Sequence, residues 1–315
     1  MQLRDRIGRR LKLQDLHVLM AVVQAGSMRK AAAQLNTTQP TISRAIAELE
    51  DAVGVPLLDR NPHGVEPTPC GRALLDGGVA MFDDLRQAVK NIEFLVDPEV
   101  GEVRIGSGHH HAPSFVSAVV ERISRRYPRI VFRIVSMEMT GQLENELYAR
   151  NVDLLIARRW GSISDEQLSF EHLFDDPNFV VAGTQHPLAR RRRIEPAEVV
   201  NELWTLAPPE SPPGMAILNA FRACGLDYPR ATVLAILPEV RMRFMATGRF
   251  LSIFPNSVLT ASTTRPDYKV LPVALTIPHI PTGIVTLKNR TLSPVAKLFI
   301  EHAREVARPL AKHQR

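Results

Sequence analysis

Three consecutive histidines, His109, His110 and His111, lie in the segment GSGHHHAPSF, just after an apolar stretch. Imidazole can bind a metal, transfer a proton or hydrogen-bond an anion, and its intrinsic pKa is about 6.5. Neighbouring side chains diverge on a strand or a helix, so one metal could take two of them only with ligands from elsewhere. No Cys or Glu/His motif supplies such ligands. We therefore predict no metal site, but leave open whether the histidines are polar loop residues or contact a small molecule.

The composition of the whole chain is that of an ordinary soluble protein. The chain has 315 residues, 45% hydrophobic and 23% charged, which is enough for two or three domains. It has neither an apolar run of membrane-spanning length nor a signal-peptide core, and Cys70 and Cys224 match no zinc or redox spacing. We expect a cytoplasmic protein. The net charge of +6, with five basic residues among the first twelve, favours an acidic partner such as nucleic acid.

The first sixty residues predict a helix-turn-helix. Apolar residues spaced for one helix face end near Gly26, and Ser27 is suited to cap a short second helix, MRKAAAQL. Thr38 is suited to cap a third helix with Pro40 in its first turn. Two short helices joined by a tight turn, over about Met28 to Ala47, have the arrangement that places a recognition helix on DNA.

The polar residues of the third helix are the candidate DNA contacts. Gln can read adenine, Arg can read guanine, and Thr or Ser can bond phosphates or bases. After this helix, PLLDR reads as a strand followed by a turn, which predicts a β-wing with Arg60 at its base. The candidate residues are Ser27, Thr38, Gln39, Pro40, Thr41, Ser43, Arg44 and Arg60. The alternative is a generic three-helix bundle with a polar surface.

A long helix should follow, starting at Thr68-Pro69. Its apolar residues recur at alternating steps of three and four, the heptad spacing of a helix that pairs with a copy of itself. A helix packed on its own core has similar spacing, so both interpretations stay open. The predicted dimerisation residues are Leu75, Phe82, Leu85, Val89, Ile92 and Val96, with Gly78 in the same seam.

Beyond Asp97-Pro98 the chain alternates strands and helices. The βαβαβ pattern predicts a parallel sheet with ligands at the carboxyl ends of its strands. A second α/β unit follows, and TGIVTLKN reads as a strand that returns to the first unit. Two such subdomains would face each other across a ligand-binding cleft. Candidate cleft residues at strand ends and helix starts are Ser107, Gly108, His109, Thr140, Arg158 and, on the opposite wall, Met215.

The N-terminal stretch from LKLQDLHVLM to CGRALL closely resembles the DNA-binding domain of LysR-type transcriptional regulators. The shared motifs include TQPTISRAI, the Leu49-Glu50 pair that follows it, and LLDR in the wing. The family wing has Phe where Leu58 stands. A weaker resemblance extends through GEVRIG, VDLLIA and TGIVTL, and Thr140 and Arg158 keep the family spacing from Asp153.

The resemblance implies a winged helix-turn-helix over 1–67, a linker and dimerisation helix over 68–97, and an effector-binding domain over 98–315. The last is expected to be α/β, similar to type 2 periplasmic binding proteins, with subdomain I at about 98–176 and 282–315 and subdomain II at about 177–281. Expected partners are double-stranded DNA, a small and anionic effector, and the chain itself as a dimer or tetramer, with RNA polymerase as a further candidate.

Two other classes compete with this interpretation. The sequence has no P-loop, no G-x-S-x-G, no H-E-x-x-H and no full dinucleotide fingerprint. We therefore expect neither an enzyme nor a cofactor. A solute-binding protein without a transcriptional role would share the C-terminal fold. It would not explain the attached helix-turn-helix.

Overall fold

The computed structural model describes residues 11–61, 64–137, 140–159, 166–260 and 267–312, without the side chains of 137 and 140–142. The basic start of the chain lies outside the described residues. The chain divides into two compact units, one up to Arg86 and one from Gln87 onward. Among the described residues, no helix is both long and apolar enough to cross a membrane.

The N-terminal unit begins with three helices, α1 (Leu13–Ala25), α2 (Met28–Gln34) and α3 (Gln39–Val53). Gly26 ends α1 with φ +63°, a left-handed conformation that glycine adopts without steric cost. The buried stripe of α3 (Ile42, Ile46 and Leu49) packs into the same core as α1 and α2. The predicted helix-turn-helix is confirmed.

Helix capping differs in part from the prediction. Ser27 and Thr38 do occupy the N-cap positions of α2 and α3, but neither side chain accepts a capping hydrogen bond. The Thr38 hydroxyl instead lies 2.9 Å from the hydroxyl of Thr41. At the next helix the cap is made, because Thr68 Oγ1 accepts a hydrogen bond from the Gly71 amide at 3.0 Å.

The predicted wing is also confirmed. Strands β1 (Leu58–Asn61) and β2 (Gly64–Pro67) pair antiparallel. Glu50 of α3 fixes the chain that enters the wing, because its Oε1 accepts hydrogen bonds from the amides of Leu57 (2.8 Å) and Leu58 (3.2 Å). The 28-residue helix α4 (Pro69–Val96) then extends from the first unit into the second.

The first sheet of the second unit contains β3 (Gly101–Gly108), β4 (Ile130–Met137), β5 (Leu154–Arg158), β6 (Leu168–Asp176) and β12 (Ile280–Leu287). Their order is β4-β3-β5-β12-β6. Helices α5 (Ser117–Ser124) and α6 (Thr140–Tyr148) connect β3, β4 and β5, and a π-helical turn (Ala112–Val116) precedes α5.

The prediction of a parallel sheet is correct for only part of this sheet. Strands β4, β3 and β5 are parallel, but β12 runs antiparallel to both β5 and β6. The sheet is mixed because β12 returns from the second subdomain, as the sequence predicted, and pairs between β5 and the unpredicted β6. The C-terminal helix α11 (Pro294–Lys312) packs into the core on this sheet.

The second sheet has the order β11-β7-β10-β8-β9. Its strands are β7 (Asn178–Gly183), β8 (Trp204–Leu206), β9 (Ala231–Leu234), β10 (Leu251–Pro255) and β11 (Tyr268–Val270). The helices are α7 (Pro196–Val199), α8 (Pro212–Ala223), α9 (Pro238–Met245) and α10 (Asn256–Thr260). The chain passes from the first sheet to the second between β6 and β7, and returns before β12. The expected fold, a helix-turn-helix with a two-subdomain α/β region, is confirmed.

Candidate functional site

Helix α3 presents a polar face at its N-terminal half. Gln39, Pro40, Thr41 and Arg44 are exposed and Ser43 is half-buried, while the apolar stripe of the helix is buried. Thr38 is exposed at the N-cap and Ser27, before α2, is half-buried. Hydrogen-bond donors and acceptors are therefore accessible to a partner along this face. The first turn also offers helix amide groups that attract phosphate.

Arg60 lies on β1 of the wing, with its side chain 51% exposed. Its Nη2 is 4.0 Å from Glu50 Oε2. An exposed pair at this distance is worth little in stability. The arginine can therefore exchange Glu50 for a phosphate with little loss of folding free energy.

The three histidines enter three different environments. His109 Nδ1 lies 3.1 Å from the Ser136 hydroxyl in an exposed position, whereas His110 lines a pocket and His111 is buried. The described residues include no group of three or more His, Cys, Asp or Glu side chains able to hold a metal. The divergence expected for neighbouring side chains is thus observed.

His111 belongs to a buried polar cluster centred on Asp176, the last residue of β6. Its Nε2 lies 3.6 Å from Asp176 Oδ2 and 3.4 Å from the Thr282 hydroxyl. The Ser257 hydroxyl and amide donate to Asp176 at 2.6 and 3.1 Å. Burial opposes ionisation of Asp176, but the hydrogen bonds from His111 and Ser257 and the charge of Arg158 hold its pKa below the ordinary value. Asp176 is therefore a stable buried anion.

A pocket opens beside this cluster, between the two subdomains. It is a small pocket that is partly open to solvent. Arg158, at the carboxyl end of β5, lines it from the first sheet, and Arg241 of α9 lines it from the second subdomain. The other lining residues are His110, Asn178, Pro213, Ala216, Ile217, Ile253, Pro255 and Ile277.

The electrostatics of the pocket are dominated by two buried guanidinium groups. Burial lowers the pKa of Arg158 to about 10, and Asp176 opposes that shift. Burial likewise lowers the pKa of Arg241 to about 10. His110 has its pKa well below the ordinary value, because of burial and then the charges of Arg158, His111 and Arg241. Near neutral pH both arginines are charged and His110 is neutral.

The predicted effector residues are not all brought together. Arg158 lines the pocket, whereas Ser107 is fully buried, with its hydroxyl 3.2 Å from the Gly108 carbonyl, and His109 points elsewhere. Met215 is 45% exposed and absent from the pocket wall, although its neighbours on α8 line it. Thr140 starts α6, and its side chain lies outside the described residues.

Three of the four polar pocket residues were not among the predicted effector residues: His110, Asn178 and Arg241. His110 lies beside the predicted His109, and the loop conformation that separates them has no sequence signature. Arg241 and Arg243 both occur in PEVRMRFM, yet Arg241 is buried and Arg243 exposed. Asn178 follows Pro177 directly after the unpredicted strand β6, so recognition of that strand would have been the signal.

The predicted seam of α4 divides into two parts. Gly78 is buried, and Leu75 and Phe82 pack partly against the core of the N-terminal unit. A Cβ atom on Gly78 would approach the side chain of Leu16 to 3.0 Å. The later residues are exposed: Leu85 53%, Val89 47%, Ile92 61% and Val96 82%. The helix therefore leaves an apolar stripe uncovered within the chain.

An exposed recognition-type helix with a wing, followed by a two-subdomain α/β unit with a pocket between its sheets, defines the class of ligand-responsive DNA-binding proteins. Two family models match this chain. The bacterial regulatory helix-turn-helix protein, lysR family, matches residues 13–72, and the LysR substrate binding domain matches residues 97–308. The chain belongs to the LysR family of transcriptional regulators, and it is a DNA-binding regulator with an effector-binding domain.

Relatives and solved structures agree with this assignment over nearly the full length. The chain is 26% identical to the HTH-type transcriptional regulator GbpR of Azospirillum brasilense, over 91% of this chain and 84% of that protein. It is 26% identical to the Hca operon transcriptional activator HcaR of Escherichia coli (strain K12), over 94% of this chain and 98% of that protein. The fold matches a full-length OxyR variant from Pseudomonas aeruginosa with a TM-score of 0.66 at 21% identity (95% and 97% covered). It matches CbnR, a LysR family transcriptional regulator, with a TM-score of 0.62 at 20% identity, over 94% of this chain and 99% of that chain.

Proposed function

We propose that the effector of this regulator is a small anionic metabolite and that it binds in the pocket between the two sheets. The observation that carries the proposal is Arg158, a guanidinium only 7% exposed at the carboxyl end of β5 and on the pocket wall. Burying a charged group costs free energy unless an opposite charge compensates it. Asp176 compensates part of this cost, but Arg241 brings a second buried guanidinium to the same pocket, so an anionic ligand supplies a further negative charge at the position where α/β folds bind ligands.

The pocket chemistry agrees with an anion rather than a cation. Arg158 and Arg241 both line it, and the nearby carboxylate of Asp176 is held by Ser257 and His111. A cationic ligand would have to approach two buried positive charges. A planar guanidinium can also bind a carboxylate or phosphate through two parallel hydrogen bonds, which adds orientation to affinity.

The proposal is tested by isothermal titration calorimetry of the full chain with carboxylates, sugar acids and phosphates, after a thermal-shift screen. Arg158→Ala should weaken binding of any anion found by tenfold or more, because a charge-assisted hydrogen bond contributes about 1.5–3 kcal/mol. Arg159→Ala, at the next residue, is the matched control. Unchanged affinity in Arg158→Ala would contradict the assignment of the anion to this site.

We further propose that α3 reads DNA through Gln39, Thr41, Ser43 and Arg44, with Arg60 of the wing on the backbone or minor groove. The exposed polar face of α3 supports this proposal. A LysR family structure of the same fold, full-length CbnR, has been solved in complex with its target DNA; it matches with a TM-score of 0.55 at 20% identity.

Finally, we propose that the chain acts in the cytoplasm as a dimer that pairs through the exposed stripe of α4, with higher assembly to a tetramer. Leu85, Val89, Ile92 and Val96 lie at heptad spacing and are exposed within the chain. Burying such a stripe against a second copy removes apolar surface from water. A dimer also suits DNA recognition, because paired recognition helices reach half-sites one helical turn apart.

A further inference from the structure

We infer that Arg241 fixes the effector's single negative charge together with Arg158, and that the effector is a monocarboxylate with a short apolar body. This inference rests on the proposed function, since it specifies the ligand of the same pocket. It assigns a binding role to Arg241 and a narrower chemical class to the anion.

The Arg241 side chain is buried, and not all of its hydrogen-bond donors have partners among the described residues. Its side chain is 2% exposed, its Nη1 donates to the Ile253 carbonyl at 3.0 Å, and its guanidinium stacks 4.7 Å from the centre of the Phe254 ring. These contacts position the guanidinium group at the pocket wall. Its Nε is buried and has no hydrogen-bond partner among the described residues. A buried donor left in this way is costly, and a ligand oxygen would satisfy it.

The charge balance of the pocket favours one negative charge on the ligand. Asp176 is the carboxylate that acts on Arg158. Arg241 has no carboxylate within ion-pair distance among the described residues; Tyr228 and the exposed Glu239 act on it from farther away. Burial raises the pKa of Tyr228 to about 12, so its hydroxyl is neutral and donates to the Ala207 carbonyl at 2.6 Å.

Among the residues that the structure describes, one positive charge, that of Arg241, therefore remains to be balanced in a buried setting. His110 and His111 add none near neutral pH, because burial lowers the pKa of both. A monoanion neutralises the charge of Arg241. A dianion, whether a dicarboxylate or a phosphate ester, would bring a second negative charge close to Asp176 in a region of low dielectric, where an uncompensated charge is expensive.

The rest of the pocket wall determines the body of the ligand. Six of its ten lining residues are apolar: Pro213, Ala216, Ile217, Ile253, Pro255 and Ile277. Among the polar ones, the Asn178 side chain already donates to the Pro278 carbonyl at 3.2 Å. A polyhydroxylated acid would bury several hydroxyl groups against these apolar side chains, whereas a branched or ring-shaped hydrocarbon gains from the contact.

The test is isothermal titration calorimetry on the full chain with six probes. The monocarboxylates are 3-methylbutanoate and benzoate, and 3-methylbutanamide is the neutral analogue of the first. Succinate, gluconate and inorganic phosphate represent the excluded anions. We expect the monocarboxylates to bind, and the amide and the three other anions to bind roughly tenfold to hundredfold more weakly, the range for one charge-assisted contact.

Variants of Arg241 on α9 test whether this side chain binds the carboxylate of the ligand. Arg241→Met should remove most of the difference in affinity between 3-methylbutanoate and its amide. Arg241→Lys keeps the positive charge but lacks the planar guanidinium group, so it should retain part of that difference. Arg243→Met, at an exposed position of the same helix, should leave every affinity unchanged. Thermal unfolding of each variant identifies loss of folding, and if Arg241→Met does not fold, Arg241→Lys decides the role of Arg241.

The outcomes separate this inference from the proposed function. An acid–amide difference that survives in Arg241→Met, or that is undiminished in Arg241→Lys, overturns the role of Arg241. Tightest binding of succinate, gluconate or phosphate, lost in Arg158→Ala, overturns the monocarboxylate class but preserves an anionic effector. Equal binding of acid and amide by the unaltered protein contradicts both. Absence of binding by either monocarboxylate at millimolar concentration overturns the class.

Discussion

At the scale of single residues, Asp176 is the centre of the buried charge network. It accepts two hydrogen bonds from Ser257, faces His111 at 3.6 Å and acts on Arg158. It is also the residue at which the chain leaves the first sheet. A buried carboxylate in this position offsets part of the cost of burying Arg158, so the folded protein can keep the arginine charged before any ligand binds.

Among the proposed DNA contacts, Arg44 is exposed on α3 two residues after the buried Ile42. We predict that Arg44→Ala weakens binding to a DNA site selected from a random pool by about 1–3 kcal/mol, because one bidentate base contact is lost. A gel-shift titration measures the effect. Arg125→Ala is the control, since Arg125 is exposed in the other unit and pairs with Glu121. Equal affinity and equal sequence preference in Arg44→Ala would remove it from the base-reading residues.

The sequence predicts Arg158 as a pocket residue but not Arg241, for a physical reason. Arg158 ends an apolar strand, and strand ends in α/β folds line ligand sites. Arg241 and Arg243 lie two positions apart on a short helix with no clear apolar face in its sequence. Which of them is buried depends on how α9 packs against the second sheet, and that packing involves residues distant in sequence.

The two halves of helix α4 have different surroundings. Its first half packs on the helix-turn-helix core through Leu75, Gly78 and Phe82. Its second half exposes apolar residues. Lys90 on this half has its Nζ 3.6 Å from Oδ2 of the buried Asp153 and donates a hydrogen bond to the Glu102 carbonyl at 3.3 Å. The second half is thus fixed to the effector-binding unit while its apolar stripe stays uncovered.

We predict that Ile92→Glu lowers the mass of the assembly in solution. Ile92 is 61% exposed within one chain, so the substitution should not disturb folding of the chain. Two copies would bring like charges together in the seam and lose the burial of two isoleucines, worth roughly 1.5–3 kcal/mol each. Sedimentation equilibrium measures the change. Glu93→Gln, at the adjacent exposed position, is the control, and an unchanged mass in Ile92→Glu would exclude the stripe as the interface.

The elements that the sequence predicted are those with strong local signals. Helices α1 to α3, the wing, α4 and the returning strand β12 have periodic apolar residues or turn residues at their ends. Strand β6 lacks a regular alternation, since its residues are not buried at every second position and its pairing with β12 shifts register between Thr282 and Gly283. Without β6 the mixed character of the first sheet could not be predicted, because strand direction depends on which neighbours pair.

Within the complete effector-binding unit, the pocket lies where the two sheets are joined. Arg158 belongs to the first sheet and Arg241 to the second subdomain, and the crossover residues Asp176 and Asn178 lie in the charge network and the pocket wall. A ligand bound by both arginines would favour one arrangement of the subdomains. Such a preference can alter DNA binding only if the two arrangements differ in effector affinity.

The most direct test of this account is DNA affinity with and without saturating 3-methylbutanoate, measured by fluorescence anisotropy on the selected site. We predict a change of about fivefold or more. Linkage requires bound DNA to change the affinity for 3-methylbutanoate by the same factor. Arg158→Ala should keep the DNA affinity of the ligand-free protein and lose the response. Identical DNA affinity with and without bound ligand would contradict the claim that this pocket regulates DNA binding.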